Sequence, residues 1–383
     1  MKRTFLKQLQ KRLLSGLVVF LFVGMLQGCT TIRKHITYTV YPVGFLVERL
    51  IAGTNIKTES IQEDTIVQRA KIRSDYATIL ENTELLLYIG QLEPYLQMYR
   101  SEINEKVPSR IDLSTMNAVY DFKRYTPVIA EGEVTYIESP YYRDKAFDYI
   151  DTDQKDLYLW TDPIAMLSMA KDILNWLNTT FVEDELIFDE NFTRLETELI
   201  NLDAQYQSLA SNNIANNKVI RFVSMTASFG NWQKTYGLEV YPVILSKYGA
   251  LPNAEQLALI KQRILEDGVK YIVYEPNMTE DMIALFNELQ EELGLTRVEL
   301  NNLSSLSAED DAAGKDYLSI MYENLKVLET MVEDRSPSEE VVEVVNEGTV
   351  EELQDGVELQ QNTVTATPVP GMTPVPNENE TDG

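Results

Sequence analysis

The chain has 383 residues, 44% of them hydrophobic, and 60 acidic against 33 basic side chains give it a formal charge of −27. That length and hydrophobic share suit two globular domains of ordinary size. The charge argues against a nucleic-acid or anionic-lipid surface, and with one cysteine (Cys29) and one histidine (His35) there is no disulfide pair, thiolate metal cluster, or Ser/His or Cys/His catalytic set.

Residues 1–28 read as an export signal. Lys2, Arg3, Lys7, Lys11 and Arg12 form a basic start, an apolar run extends from Leu13 to Leu26, and Leu26-Gln27-Gly28-Cys29 closes it. The run is too short to cross about 30 Å of hydrocarbon, so it reads as a signal and not a spanning helix. Leu-x-Gly-Cys resembles a bacterial lipobox, in which the thiol is lipidated and becomes the first mature residue. A diacyl anchor on Cys29 would hold the protein at the extracytoplasmic face of a membrane. Removing the five signal cations takes the charge from −27 to −32. Residues 29–35 read as a tether, with His35 a solvated residue in it.

From Ile36 the pattern alternates between strands and helices. Ile36 to Val40 is a strand ended by Tyr41-Pro42, and Phe45 to Ala52 is a helix stopped by Gly53. Asp75 to Thr83 is helical, and Leu85 to Ile89 is an apolar run of buried-strand length, closed by Gly90. A helix restarts near Glu93-Pro94. Residues 108–157 are rich in Tyr, Asp and Glu and irregular, with a local hairpin from Thr126 to Ala130 and Val134 to Ile137. Ile164 to Leu177 is an amphipathic helix. Phe192, Leu195, Leu199, Leu202 and Tyr206 recur at helical spacing and predict a long spine helix over 192–208.

The second half repeats the rhythm. Lys218 to Met225 is a strand, Phe229 to Tyr236 a helix ended by Gly237, and Leu238 to Leu245 an edge or broken strand because it contains Pro242. Asn253 to Glu266 is a helix, Val269 to Tyr274 a strand, and Thr279 reads as the N-cap of a helix that Gly294 ends. Arg297 to Leu300 is a strand and Asp316 to Val332 the last helix. The expected fold class is α/β, with two lobes, each a mainly parallel sheet flanked by helices. The lobes are expected at 36–188 and 211–333, joined by a spine at 189–210. Residues 334–383 have no Lys or Arg after Arg335 and read as a disordered acidic tail.

Six segments in order resemble one family, the zinc/manganese-type solute-binding lipoproteins of ABC importers. They are Thr39-Val40-Tyr41-Pro42 with Phe45 to Gly53; Leu85 to Gly90 with Leu92-Glu93-Pro94-Tyr95-Leu96; Leu159-Trp160-Thr161-Asp162-Pro163; Phe229-Gly230 with Tyr236-Gly237-Leu238; Val273-Tyr274-Glu275-Pro276; and Asp316 to Met321. The resemblance covers residues 36–333. It implies two α/β lobes around a cleft, zinc or manganese as cargo, ABC permease and ATPase subunits as partners, a monomer, and no enzymatic activity.

The family holds its ion with histidines and carboxylates, which suit zinc or manganese. Counting from the matched segments places the ligand positions at Gln68, Tyr158, Thr226 and Asn301, the first and last to within a residue or two. None is a histidine, and the His-rich loop before the second ligand is replaced by Tyr141, Tyr142, Asp144, Asp148, Asp151, Asp153 and Asp156. Neutral oxygens offset little of a dication's desolvation, so the inherited metal site is expected to be lost. Two readings of the cleft remain: a polar organic solute held by Gln68, Tyr158, Thr226 and Asn301, or a cleft filled by its own side chains. Asp162 and Glu275 are the carboxylates nearest such a cleft. They read as capping or solvated groups before they read as a hard-cation site. A surface-adhesion lipoprotein on the same scaffold is the alternative function.

Overall fold

The computed structural model describes residues 33–335 apart from 64–65, 116, 118 and 131–132. The signal, Cys29 and residues 336–383 of the expected tail lie outside the described residues; Asp334, expected in the disordered tail, instead ends a short strand because it pairs with Lys218. In chain order the first half runs β1 (His35–Tyr38), α1 (Tyr41–Ile51), β2 (Lys57–Ser60), α2 (Tyr76–Asn82), β3 (Leu85–Tyr88), α3 (Leu96–Lys106) and β4 (Ser109–Asp112). These strands pair in parallel in the order β2-β1-β3-β4. The hairpin β5 (Arg124–Ala130) and β6 (Glu133–Ser139) follows, antiparallel as its alternation predicts. Then come α4 (Pro163–Thr180) and α5 (Glu185–Ala215).

The second half runs β7 (Lys218–Val219), β8 (Arg221–Thr226), α6 (Asn231–Tyr236), β9 (Glu239–Ile244), α7 (Ala254–Glu266), β10 (Tyr271–Tyr274), α8 (Glu280–Leu293), β11 (Thr296–Glu299), α9 (Ala308–Ala312), α10 (Tyr317–Thr330) and β12 (Glu333–Asp334). Its main sheet has the parallel order β11-β10-β8-β9. In both sheets the first strand lies between the second and the third. The direction of winding therefore reverses beside β1 and beside β8. Sheets of this kind bind ligands beyond the carboxyl ends of the strands at that reversal.

The spine helix α5 is 31 residues long, or about 46 Å at 1.5 Å per residue. Its buried stripe is Phe188, Asn191, Leu195, Leu199, Leu202, Tyr206 and Ala210, at helical spacing throughout. The helix extends beyond the expected 192–208 because Phe188 and Ala210 continue the stripe within polar flanks. It packs against α1, α4 and α10, and truncating a fully buried member such as Leu199 to Ala is worth about 3 kcal/mol.

Several boundaries differ from the sequence reading. Helix α1 begins at Tyr41, not Phe45, because Pro42 occupies its first turn, where a missing N–H costs nothing. Helix α3 begins at Leu96, beyond Pro94. Strands β2 and β4 carry no apolar signal in the sequence because they are the two edges of their sheet and stay half exposed. His35 is not a tether residue but the first residue of β1, with Nε2 3.0 Å from Glu59 Oε1. Thr279 precedes α8 but its side chain does not cap it; its hydroxyl donates to the Asp281 carboxylate at 2.5 Å and accepts from Arg69. Pro242 lies, as expected, on an edge strand.

The segment from 120 to 162 ties the two halves together. The Arg124 guanidinium donates to the Tyr241 hydroxyl at 2.6 Å and lies 4.3 Å from that ring's centre. The Tyr142 hydroxyl donates to the Pro242 carbonyl, and the Trp232 indole N–H to the Thr161 carbonyl. Tyr141 and Tyr142 are buried in the same apolar cluster as Val223, Tyr241 and Ile272 of the second sheet.

Candidate functional site

The positions counted from the sequence converge between the lobes. Gln68 is on a short turn, Val67–Arg69, held against the second lobe by its neighbour Arg69. Tyr158 precedes the turn Leu159–Thr161. Thr226 is the last residue of β8, and Glu275 directly follows β10, so these two meet at the reversal point of the second sheet. All four side chains are buried.

Their polar atoms lie side by side in one buried patch. The Gln68 amide donates to the Tyr158 hydroxyl, and the Ser228 hydroxyl lies beside that phenol and favours its ionised form. Ser228 Oγ in turn meets Thr226 Oγ1. Glu275 Oε1 accepts the Thr226 backbone N–H at 2.8 Å, and Oε2 accepts both the Thr226 hydroxyl at 2.6 Å and the Asn302 amide at 2.8 Å. Asn302 is fixed from its other side, where its carbonyl accepts the Trp160 indole N–H at 2.8 Å.

The fourth counted position is one residue out of register with this network. Asn301 uses its side-chain oxygen to accept from Leu303 N, closing a tight turn in which Leu303 has φ 61. Its backbone bonds Asn324 of α10. Asn302 is the residue that reaches Glu275. Asparagine and serine favour turns closed by side chains, but nothing in Asn-Asn-Leu-Ser-Ser tells which asparagine points inward. Ser228 was also missed, although it lies two residues from Thr226 in the same loop.

Asp162 is the N-cap of α4, its carboxylate accepting from Ile164 N at 2.8 Å and Ala165 N at 3.3 Å. That is the capping role its Asp-Pro context suggests. The acidic stretch before Tyr158 is also used internally. Asp144 caps the turn Lys145–Phe147, Asp151 pairs with Lys247 at 2.7 Å, and Asp156 accepts Tyr158 N at 3.1 Å. Burial pushes the Asp156 carboxyl up to about 7 and Asp153 up to about 6. Gly230 lies so close to Asp156 that a Cβ there would be 2.1 Å from Oδ2.

These donors do not fit a transition-metal ion. Zinc asks for about four ligands drawn from imidazole, thiolate and carboxylate. The network offers one carboxylate, already accepting three hydrogen bonds. Burial raises the Tyr158 phenol well above its ordinary range, so tyrosinate is not on offer near neutral pH. The other donors are amides and hydroxyls. Among the described residues no group of three or more His, Cys, Asp or Glu is placed to hold a metal ion.

Residues 36–331 match the model of the ZnuA family, zinc-uptake complex component A, periplasmic. The chain belongs to the ZnuA family. It is 28% identical over 183 residues to the zinc-binding lipoprotein AdcA of Streptococcus pneumoniae R6, a match covering 48% of this chain and 35% of that protein. The chain thus spans about a third of that relative's length. It is 28% identical over 173 residues to the high-affinity zinc uptake system protein ZnuA of Bacillus subtilis 168, covering 45% of this chain and 52% of that one. The Zn(II)-bound ZnuA-like domain of S. pneumoniae AdcA shares the fold, with a TM-score of 0.56 at 21% identity over 78% of this chain and 98% of that domain. This ZnuA-family chain therefore has the expected α/β architecture, while its counted ligand positions carry Gln68, Tyr158, Thr226 and Asn301.

Proposed function

We propose that this ZnuA-family chain is the solute-capturing lipoprotein of an ABC importer. It is anchored through Cys29 on the extracytoplasmic face of the membrane, and it acts as a monomer that presents cargo to permease and ATPase subunits. Its lobes are 36–188 and 211–333, joined by the spine at 189–210. The inherited metal position is filled by its own side chains, so the cargo is not a zinc or manganese ion held there. The observation that carries this reading is Glu275: the one carboxylate at the position is fully engaged by Thr226 and Asn302. A polar organic solute is the cargo class that this amide-and-hydroxyl lining suits once the lobes part.

A thermal-shift titration of the purified chain with Zn²⁺ and Mn²⁺ tests it. A ligand at 100 times its dissociation constant stabilises by about 2.7 kcal/mol, which moves a melting point by several degrees. No shift is expected at micromolar metal, and a shift of several degrees at one equivalent would overturn the reading. Cys29→Ser is expected to move the protein from the membrane fraction to the soluble extracytoplasmic fraction. Retention in the membrane would refute the anchor.

A further inference from the structure

The first lobe carries its own threonine and glutamate beyond the corresponding strands. Thr39 follows β1 as Thr226 closes β8, and Glu93 lies five residues past the end of β3, where Glu275 directly follows β10. In the second lobe the pair is joined by a well-formed hydrogen bond. In the first, the Thr39 hydroxyl lies close enough to hold the Glu93 carboxyl down somewhat, but no such bond is formed. Glu93 is 1% exposed, yet neither carboxyl oxygen meets a partner with hydrogen-bonding geometry, and neither does the Thr39 hydroxyl. Burial pushes the Glu93 carboxyl up to about 7 despite the nearby Thr39 hydroxyl. A buried carboxyl with no well-formed hydrogen bond is costly, so a group that supplies strong donors would be taken up readily.

A cavity of about 160 Å³ opens beside Glu93, between α3 and the β3–β4 face. Its lining is polar and cationic at the rim. Leu86 and Arg110 are register partners across β3 and β4, so both side chains stand on the face toward α3. Gln97, Arg100 and Asn104 fall at helical spacing on the facing side of α3. Among the described residues neither Arg100 nor Arg110 has a carboxylate partner. A smaller cavity of about 80 Å³ also borders Gln91, Glu93 and Gln97, and it reaches Lys247 of the second lobe.

We propose that this cavity binds a small α-amino acid as its zwitterion, with the ammonium group on Glu93 and the carboxylate on Arg100 and Arg110. Guanidinium matches a carboxylate's two oxygens, and an ammonium ion supplies the donors that Glu93 lacks. A simple anion would leave Glu93 without a strong donor, and a simple cation would face two arginines. The volume is close to that of a cavity of about 150 Å³ that admits benzene, so a small amino acid fits and a peptide does not. The site is outside the Glu275 network and does not depend on what the interlobe cleft takes.

Thermal-shift screening of the full chain against the twenty protein amino acids, followed by calorimetric titration of the best, tests the proposal. At least one small amino acid is expected to bind. Its decarboxylated amine and its deaminated acid are each expected to bind at least about tenfold more weakly. Glu93→Gln and Arg110→Ala are each expected to weaken binding by the same order while keeping the wild-type circular dichroism. Arg110 is an exposed residue on an edge strand, so its removal keeps the test valid if Glu93→Gln perturbs folding. No binding by any amino acid, or binding undiminished in both variants, would overturn the proposal.

Discussion

Replacing Glu275 by alanine is the perturbation on which the reading of the interlobe site turns. The carboxylate accepts from Thr226 N, Thr226 Oγ1 and Asn302 Nδ2, all within 2.6–2.8 Å and all buried. Its removal orphans three donors, each worth about 1–3 kcal/mol when left unpaired in the interior. Relaxation of Thr226 toward Ser228 recovers part of that, so the expected net loss is about 4 kcal/mol, the scale of a broken buried charged network. Against a total stability of about 5–15 kcal/mol, this should lower the melting temperature by about 10 °C. Glu275→Gln keeps the shape and one acceptor but turns an NH₂ group toward donors, and about 2 kcal/mol is expected. Urea denaturation followed by circular dichroism gives both values. If both variants unfold within about 0.5 kcal/mol of wild type, Glu275 is not the keystone of a self-satisfied network. It would then be a carboxylate free for a ligand, and the reasoning fails.

Two further outcomes follow from the electrostatics and the interlobe contacts. Burial raises the carboxyls of Glu93 and Asp156 to about 7 from ordinary values of 4.5 and 3.8. The folded state therefore holds protons that the unfolded state has released. The stabilisation this gives is complete below the unfolded values and is lost as pH rises through about 7. About 2 kcal/mol per group is expected between pH 8 and pH 5.5. The melting temperature should rise over that interval, with the rise diminished in Asp156→Asn, and a fall toward pH 5.5 would contradict the assignment. Arg69 donates to both Asp281 oxygens at 2.9 and 3.0 Å and to the Gly249 carbonyl at 2.7 Å, linking the first lobe to the second. Because both ion-pair partners are partly solvated, Arg69→Ala should cost only about 1 kcal/mol of stability. It should nevertheless speed amide hydrogen exchange around 246–252, and unchanged exchange there would show that Arg69 is no latch.

The lobes were legible because each buried strand leaves an apolar run and each helix a stripe, as Leu85 to Leu87 and the Leu195–Tyr206 series do. Glycines carried the helix ends: Gly237 and Gly294 both adopt positive φ there. Strands β2 and β4 were not legible, because an edge strand needs only backbone partners and Lys-Thr-Glu-Ser buries little. The site was half legible. Spacing from matched segments brought Gln68, Tyr158 and Thr226 to one buried patch, and Glu275 was noted as a neighbouring carboxylate. Its role as the network's centre depends on two strands ending side by side, which no local pattern encodes. The difference between Asn301 and Asn302 depends on a single residue of positive φ at Leu303. The burial of Glu93 without a well-formed hydrogen bond is a property of packing, invisible in a segment where Leu92-Glu93-Pro94 reads only as a helix start.

Metal content of the protein purified from zinc- and manganese-replete cells, measured by elemental analysis, tests the central claim most directly. The self-filled network predicts well under one atom of either metal per chain. One tightly held atom per chain, lost from Glu275→Gln and Thr226→Ala, would mean that the cleft opens to a coordinating arrangement, and the account of a filled metal position would be wrong.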